Sequence, residues 1–207
     1  MSCAPPGDDG DGWDRIPDEP DGSIRATPTD PRKLREKLRR SGFAYLQRYS
    51  ASEAHFFELM EKKLRRWEAA GYVALGEASV AGLVGDLTSE FRELGLLDDA
   101  GFAASRVASA RRKGASRLKI ALGLRAKGVD GNLARTAIEE EGTDEMVAAL
   151  RFCRRRRIGP WRRGERPDRD GLNREIAILA RQGFATQLGR AVVLLSLEEA
   201  EDKLGAI

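Results

Sequence analysis

The sequence predicts an all-α protein built from three tandem three-helix repeats. Three observations carry this expectation. Apolar residues recur at helical spacing from Pro31 onward, no segment shows the period-two alternation of a half-buried strand, and glycine stops recur at a regular interval. The stop has the form apolar, three residues, glycine, apolar. It appears at "WEAAGY" (Trp67 to Tyr72), "FRELGL" (Phe91 to Leu96), "LRAKGV" (Leu124 to Val129) and "LARQGF" (Leu179 to Phe184). Gly71, Gly128 and Gly183 lie 57 and 55 residues apart, and Gly42, Gly95 and Gly142 form a second series spaced 53 and 47. Glycine takes the positive-φ conformation that commonly ends a helix. Two stops in each stretch of about 50 residues imply a unit of three helices. Three such units fit 31–96, 97–141 and 142–207, behind an N-terminal segment 1–30.

Each helix has its own signals. Pro31 suits a first helical position, and Leu34, Leu38, Tyr45 and Tyr49 keep helical spacing behind it. Ser50 and Glu53 have capping-box spacing ahead of Phe56, Phe57, Met60 and Leu64. A third helix runs from about Glu77 to Leu94 with Leu83, Leu87, Phe91 and Leu94 on its face; Gly82 and Gly85 weaken it. Gly95 ends that helix, with Leu96 expected to pack back on Phe91. Asp98 can cap the next helix, and Leu97 and Phe102 are spaced for a hydrophobic staple. Phe102, Ala103, Val107 and Ala110 define the fourth helix. Ser116 caps a fifth carrying Leu118, Leu122 and Leu124, and a short sixth spans Asn132 to Glu140. Met146, Leu150 and Cys153 stripe the seventh, Leu172, Ile176 and Leu179 the eighth, and Leu188, Val192 and Leu195 the ninth.

Composition narrows the function. Charged residues are 33% of the chain against 41% hydrophobic ones, so much charge lies on surfaces, as in an elongated protein or one made of small helical units. Residues 1–30 hold eight acids and two arginines, a balance of −6, which leaves +9 for the remainder of a chain whose net charge is +3. This acidic tail is rich in Gly and Pro and is expected to be disordered; Trp13 and Ile16 lie in it. It either solvates the protein or folds back over a basic face. Cys3 and Cys153 sit far apart with no metal-ligand spacing, which fits a reducing cytoplasm. No apolar run is long enough to span a membrane, and no secretory signal pattern opens the chain.

No catalytic, cofactor or metal site is expected. His55 is the only histidine, so a multi-histidine metal site is excluded. Asp98 and Asp99 are explained by helix capping, and "ARRKGASRLK" lacks the spacing of a phosphate-binding loop. Positive charge remains. Arg111, Arg112 and Lys113 end one helix, and Arg117 and Lys119 begin the next; part of this cluster also favours the helix dipole. The run "RFCRRRRIGPWRRGERPDR" holds nine arginines between Arg151 and Arg169. Arg151, Arg154 and Arg155 are expected on the side of their helix away from the apolar stripe, with Arg157 beyond them. Trp161, Arg162 and Arg163 follow in a loop. Arginine forks match phosphates and carboxylates, and Trp161 either stacks on a base or plugs the core.

The stretch "LGLLDDAGFAASRVASARRKGASRLKIALGLRAKGVD" resembles the RecX family of bacterial regulatory proteins, through its Gly-Leu-Leu-Asp-Asp turn, the Phe-Ala that follows, the basic helix end and the Leu-x-x-Lys-Gly-Val stop. "YLQRYSASEAHFFELMEKKLRR" is similar to that family's first repeat and "LARQGFATQLGRAVV" to its third, so the resemblance covers about 31–195. It implies three three-helix repeats in a curved, elongated array. It also implies a modulator or inhibitor of the RecA recombinase that acts on the RecA–single-stranded DNA filament. The acidic tail and the arginine-rich third repeat depart from the shared pattern. A cytoplasmic monomer without membrane contact is expected. Two other readings of the residues stay open: a stand-alone DNA-binding protein, and a helical-repeat adaptor for an acidic protein.

Overall fold

The computed structural model describes residues 31–71, 73, 77–165 and 167–205. The acidic tail 1–30 and Tyr72 lie outside the described residues. Among these residues there are ten α-helices and no strand: α1 (Pro31–Leu46), α2 (Glu53–Ala69), α3 (Glu77–Glu93), α4 (Asp99–Arg112), α5 (Arg117–Ala126), α6 (Gly131–Glu141), α7 (Glu145–Arg156), α8 (Arg169–Arg181), α9 (Thr186–Leu194) and α10 (Leu197–Gly205). A 3₁₀ turn, Gly159–Trp161, follows α7. The chain divides into two compact units, Met1–Asp98 and Asp99–Ile207.

In the first unit α1, α2 and α3 bury Leu34, Leu38, Tyr45, Phe56, Met60, Leu64, Val80, Val84, Leu87 and Phe91. Phe91 is central, its ring centroid 4.7 Å from that of Phe43 and 5.3 Å from that of Phe56. Gly42 sits inside α1, where a Cβ would stand 2.7 Å from the Phe91 ring, so the missing side chain is what lets α1 approach. α2 is capped by Ser52, whose Oγ accepts from the His55 amide at 3.2 Å; the expected cap, Ser50, is exposed. α3 forms despite Gly82 and Gly85, because its packed stripe outweighs the propensity loss of two glycines. Leu94, expected on that stripe, is exposed.

The glycine stops share one geometry. At the end of α3 the Gly95 amide donates to Arg92 O and the Leu96 amide to Phe91 O, both at 2.9 Å, with Gly95 at φ +70°. The paired bonds are those of the Schellman motif. Gly128 and Gly183 repeat them at the ends of α5 and α8, with Val129 and Phe184 buried next. Gly71, at φ +74°, ends α2 with its amide bonded to Glu68 O. At the Gly95 turn the side chain taken into the core is Leu97; Leu96, expected on Phe91, stays 40% exposed. Leu97 joins the first core and Phe102 the core of α4–α6, on either side of Asp98. Gly95→Val is expected to destabilise by about 1–3 kcal/mol through backbone strain alone, since nothing lies within 4 Å of its Cβ position. Gly82→Ala, on an exposed helical face with equally open space, is expected to stabilise by roughly 0.5–1 kcal/mol. Denaturant melts of the two variants check both signs.

The second unit holds two cores. Helices α4–α6 bury Phe102, Ala103, Val107, Ile120, Leu124, Ala134 and Ile138. Helices α7–α10 bury Ala148, Leu150, Phe152, Cys153, Leu179, Phe184, Val192, Val193 and Ala200. The inward face of α5 is Ile120–Leu124, whereas Leu118 and Leu122 are 56% and 58% exposed. α5 carries two apolar stripes with the same four-residue spacing, and packing selects one of them. The tenth helix goes beyond the nine expected. Ser196 and Glu199 form its capping box: the Ser196 amide donates to Glu199 Oε2 at 2.7 Å, and the Glu199 amide to Ser196 Oγ at 3.2 Å. Hydrogen bonding from Ser196, its backbone amide foremost, holds the Glu199 carboxyl below its usual range.

Candidate functional site

The arginine-rich segment is organised by α7. Asp144 caps its start, Oδ1 accepting from the Met146 amide at 2.6 Å. Its buried face is Val147, Ala148, Leu150, Phe152 and Cys153, with Met146 partly buried against the same core. Burial, reinforced by the charge of Glu175, pushes the Cys153 thiol up to about 12, against a smaller opposing pull from Arg162. The thiol is therefore protonated and inert at neutral pH.

Arg154, Arg155 and Arg156 lie exposed in the last turn of α7, and Arg157 follows, also exposed. Arg155 sets its guanidinium 5.9 Å from the Phe152 ring. Among the described residues none of these four arginines forms an ion pair. Arg157 adopts φ 56°, ψ 45°, and the Ile158 amide donates to Cys153 O at 3.1 Å, so the helix ends as the glycine-stopped helices do. Gly114 lies against the backbone of Ala148 and Phe152. That contact brings the end of α4, with exposed Arg112 and Lys113, to the flank of α7. Arg163 is exposed beyond the 3₁₀ turn.

Other members of the expected site turn inward. Arg111 is 1% exposed. It donates to Glu145 Oε2 at 2.8 Å, to Ala115 O at 3.0 Å and to Thr143 O, and its Nε stands 3.5 Å from Glu141 Oε2. A guanidinium so enclosed is a structural pin, which corrects its assignment as a contact residue. Arg162 is likewise internal: Nη2 donates to Glu175 Oε2 at 2.6 Å and to Val193 O at 2.9 Å, while the Gly159 amide shares the same carboxylate. Trp161 packs half-buried on the third core. Arg151 is half-buried and donates to Arg111 O at 3.5 Å. Arg117 and Lys119 are exposed, yet each is engaged: Arg117 Nε lies 3.7 Å from Glu145, and Lys119 Nζ donates to Gln182 Oε1 at 2.6 Å.

Sequence reasoning missed a second basic feature, in the first unit. Arg32, Arg35, Glu36, Arg39 and Glu90 line an open groove of about 470 Å³. Arg35 and Arg39 both pair with Glu90, at 3.3 and 2.5 Å. The signal was present: Arg32, Arg35 and Arg39 are three and four residues apart, one face of α1. No helix among the described residues is long and apolar enough to cross a membrane.

Glycine-stopped helices grouped around small cores define an all-helical repeat protein, with an arginine-rich helix end held outward. The family model for RecX, second three-helix domain, matches residues 98–138, which run from the start of α4 into α6. A "Regulatory protein RecX" from Agrobacterium fabrum is 34% identical over 188 residues, spanning 89% of this chain and 96% of that one. Another from Myxococcus xanthus is 29% identical over 183 residues, 84% and 94% of the two chains. The crystal structure of RecX from Lactobacillus salivarius shares the fold, with a TM-score of 0.53 at 18% identity over 85% of this chain and 99% of that one. The chain belongs to the RecX family of regulatory proteins.

Proposed function

We propose that this protein regulates the RecA recombinase by binding the RecA–single-stranded DNA filament, with its helical repeats lodged in the filament groove. The observation that supports this best is the α7 end, where Arg154 to Arg157 stand exposed without a carboxylate partner among the described residues, in a chain of the RecX family. Such a cluster is poised for a polyanion. We divide the binding body into repeats at 31–96, 97–141 and 142–207; three apolar cores support a division into three, with Leu97 packed on the first of them. The protein acts by obstruction, as a cytoplasmic monomer, without catalysis or cofactor. Bound across several RecA subunits, it blocks monomer addition or strand exchange. Strand exchange and RecA ATPase are therefore expected to fall at amounts of this protein well below those of RecA. Inhibition only at excess, tracking simple competition for DNA, would overturn the proposal.

The contact residues in this reading are Arg112, Lys113, Arg154, Arg155, Arg157 and Arg163. Replacing Arg154, Arg155 and Arg157 together with glutamine is expected to leave stability nearly unchanged, because all three are exposed. If each meets a phosphate, the salt slope for single-stranded DNA drops by about 0.7 per contact, roughly 2 in all. The larger loss is expected on the filament. Affinities for both ligands across a salt series check this.

A further inference from the structure

Among the described residues the positive-φ residue that ends a helix is glycine at Gly71, Gly95, Gly114, Gly128, Gly142 and Gly183; at α7 it is Arg157, the one non-glycine residue with positive φ among those described. Side chains at such φ are disfavoured because Cβ crowds the following carbonyl. Nothing in the fold calls for the arginine side chain. The turn is closed by backbone bonds, Arg157 N to Arg154 O at 3.3 Å and Ile158 N to Cys153 O at 3.1 Å, as at the glycine turns. The guanidinium pairs with no carboxylate among the described residues. The helix dipole favours cations all along this helix end, Arg154 to Arg157 alike, so it does not single out an arginine at the one position that costs backbone strain.

We infer that Arg157 is a dedicated phosphate-contact residue for single-stranded nucleic acid, kept at a left-handed position at the expense of stability because its charge completes the row of arginines ending α7. This rests on the reading of that helix end as a polyanion site and names the ligand group it meets. Four consecutive arginines at an exposed helix end suit anions repeating along a backbone. Among the described residues the large exposed hydrophobic ones are Leu94, Leu96, Leu118, Leu122, Leu194 and Leu197, none of them on α7 or the turn after it, so these residues supply no apolar centre there of the kind typical of a protein interface.

The test uses the full chain, a fluorescent oligothymidylate without RecA, and three variants. Arg157→Gly removes both strain and charge, Arg157→Asn removes the charge while tolerating left-handed backbone, and Arg157→Lys keeps the charge and the strain. Arg157→Gly is expected to melt about 2–4 °C higher than the parent. It is also expected to bind the oligonucleotide roughly three- to tenfold more weakly at moderate salt, with the salt slope reduced by about 0.7. Arg157→Asn follows in both respects, and Arg157→Lys retains most of the affinity at an unchanged melting temperature. Higher melting with unchanged affinity overturns the inference, since the arginine is then merely tolerated. Unchanged or lower melting of Arg157→Gly overturns it too, since the side chain then supports the turn. Because RecA is absent, failure of the filament reading shows separately, as parent protein that binds oligonucleotide but does not inhibit strand exchange.

Discussion

Arg111→Ala is expected to lower the melting temperature by roughly 10 °C, from a loss of about 3 kcal/mol. The guanidinium joins the end of α4 to Ala115 O, to Thr143 O between α6 and α7, to Glu141 at the end of α6 and to Glu145 at the start of α7. Glu145 also accepts from the Arg117 amide at 3.1 Å, so its removal from Arg111 disturbs α5 as well. Breaking a buried pair costs about 3–5 kcal/mol, and the lower end applies because Glu141 and Glu145 keep some contact with solvent. Arg111→Lys is expected to recover only part, since one ammonium cannot reproduce a fork that reaches several acceptors. Arg112→Ala, one residue on and exposed, is expected to stay within about 0.5 kcal/mol. Thermal melts followed by circular dichroism decide the matter; a shift of less than a degree for Arg111→Ala would remove the network from any account of stability.

Gly114→Ala is expected to be as damaging. A Cβ there would lie 2.4 Å from Phe152 N and 2.7 Å from Ala148 O, and Gly114 sits at φ +77°. Both near atoms belong to the α7 backbone, so no rotamer change relieves the clash; α4 and α7 must separate. A loss of about 3–5 kcal/mol follows from overpacking joined to backbone strain. Gly142→Ala is the matched control. Its φ is +72°, but the nearest atom to the added carbon is 3.8 Å away, so only strain of about 1–2 kcal/mol applies. Equal melting temperatures for the two variants would show that the α4–α7 contact tolerates an extra carbon.

The pair of variants also shows where sequence reasoning reaches its limit. Helix ends were legible because Gly95, Gly128 and Gly183 combine a local backbone need with an apolar residue just after them. Gly114 carries the same bonds, its amide to Arg111 O and the Ala115 amide to Ala110 O, but Ala110 and Ala115 are too small to mark the pattern as the large apolar flanks of the other turns do. Arg111, Arg112 and Lys113 read alike as a charged helix end. Only the arrival of Glu145 from thirty-four residues downstream separates the buried member from the exposed ones. The same holds for Arg162, paired with Glu175 on α8, against exposed Arg163. α10 was missed although Ser196 and Glu199 have capping-box spacing, because its acidic composition hides the single buried Ala200. Charge content locates basic segments, whereas tertiary pairing decides which cations remain available for a ligand.

Capture on RecA filaments tests the central claim most directly. RecA is assembled on single-stranded DNA with a nonhydrolysable nucleotide, and retention of this protein is compared with retention on the same DNA without RecA, at matched salt. Strong retention on the filament, exceeding that on naked DNA and reduced by the combined glutamine replacement of Arg154, Arg155 and Arg157, is the predicted result. Retention on naked DNA equal to or above that on the filament, or filament retention indifferent to the three replacements, would contradict the account.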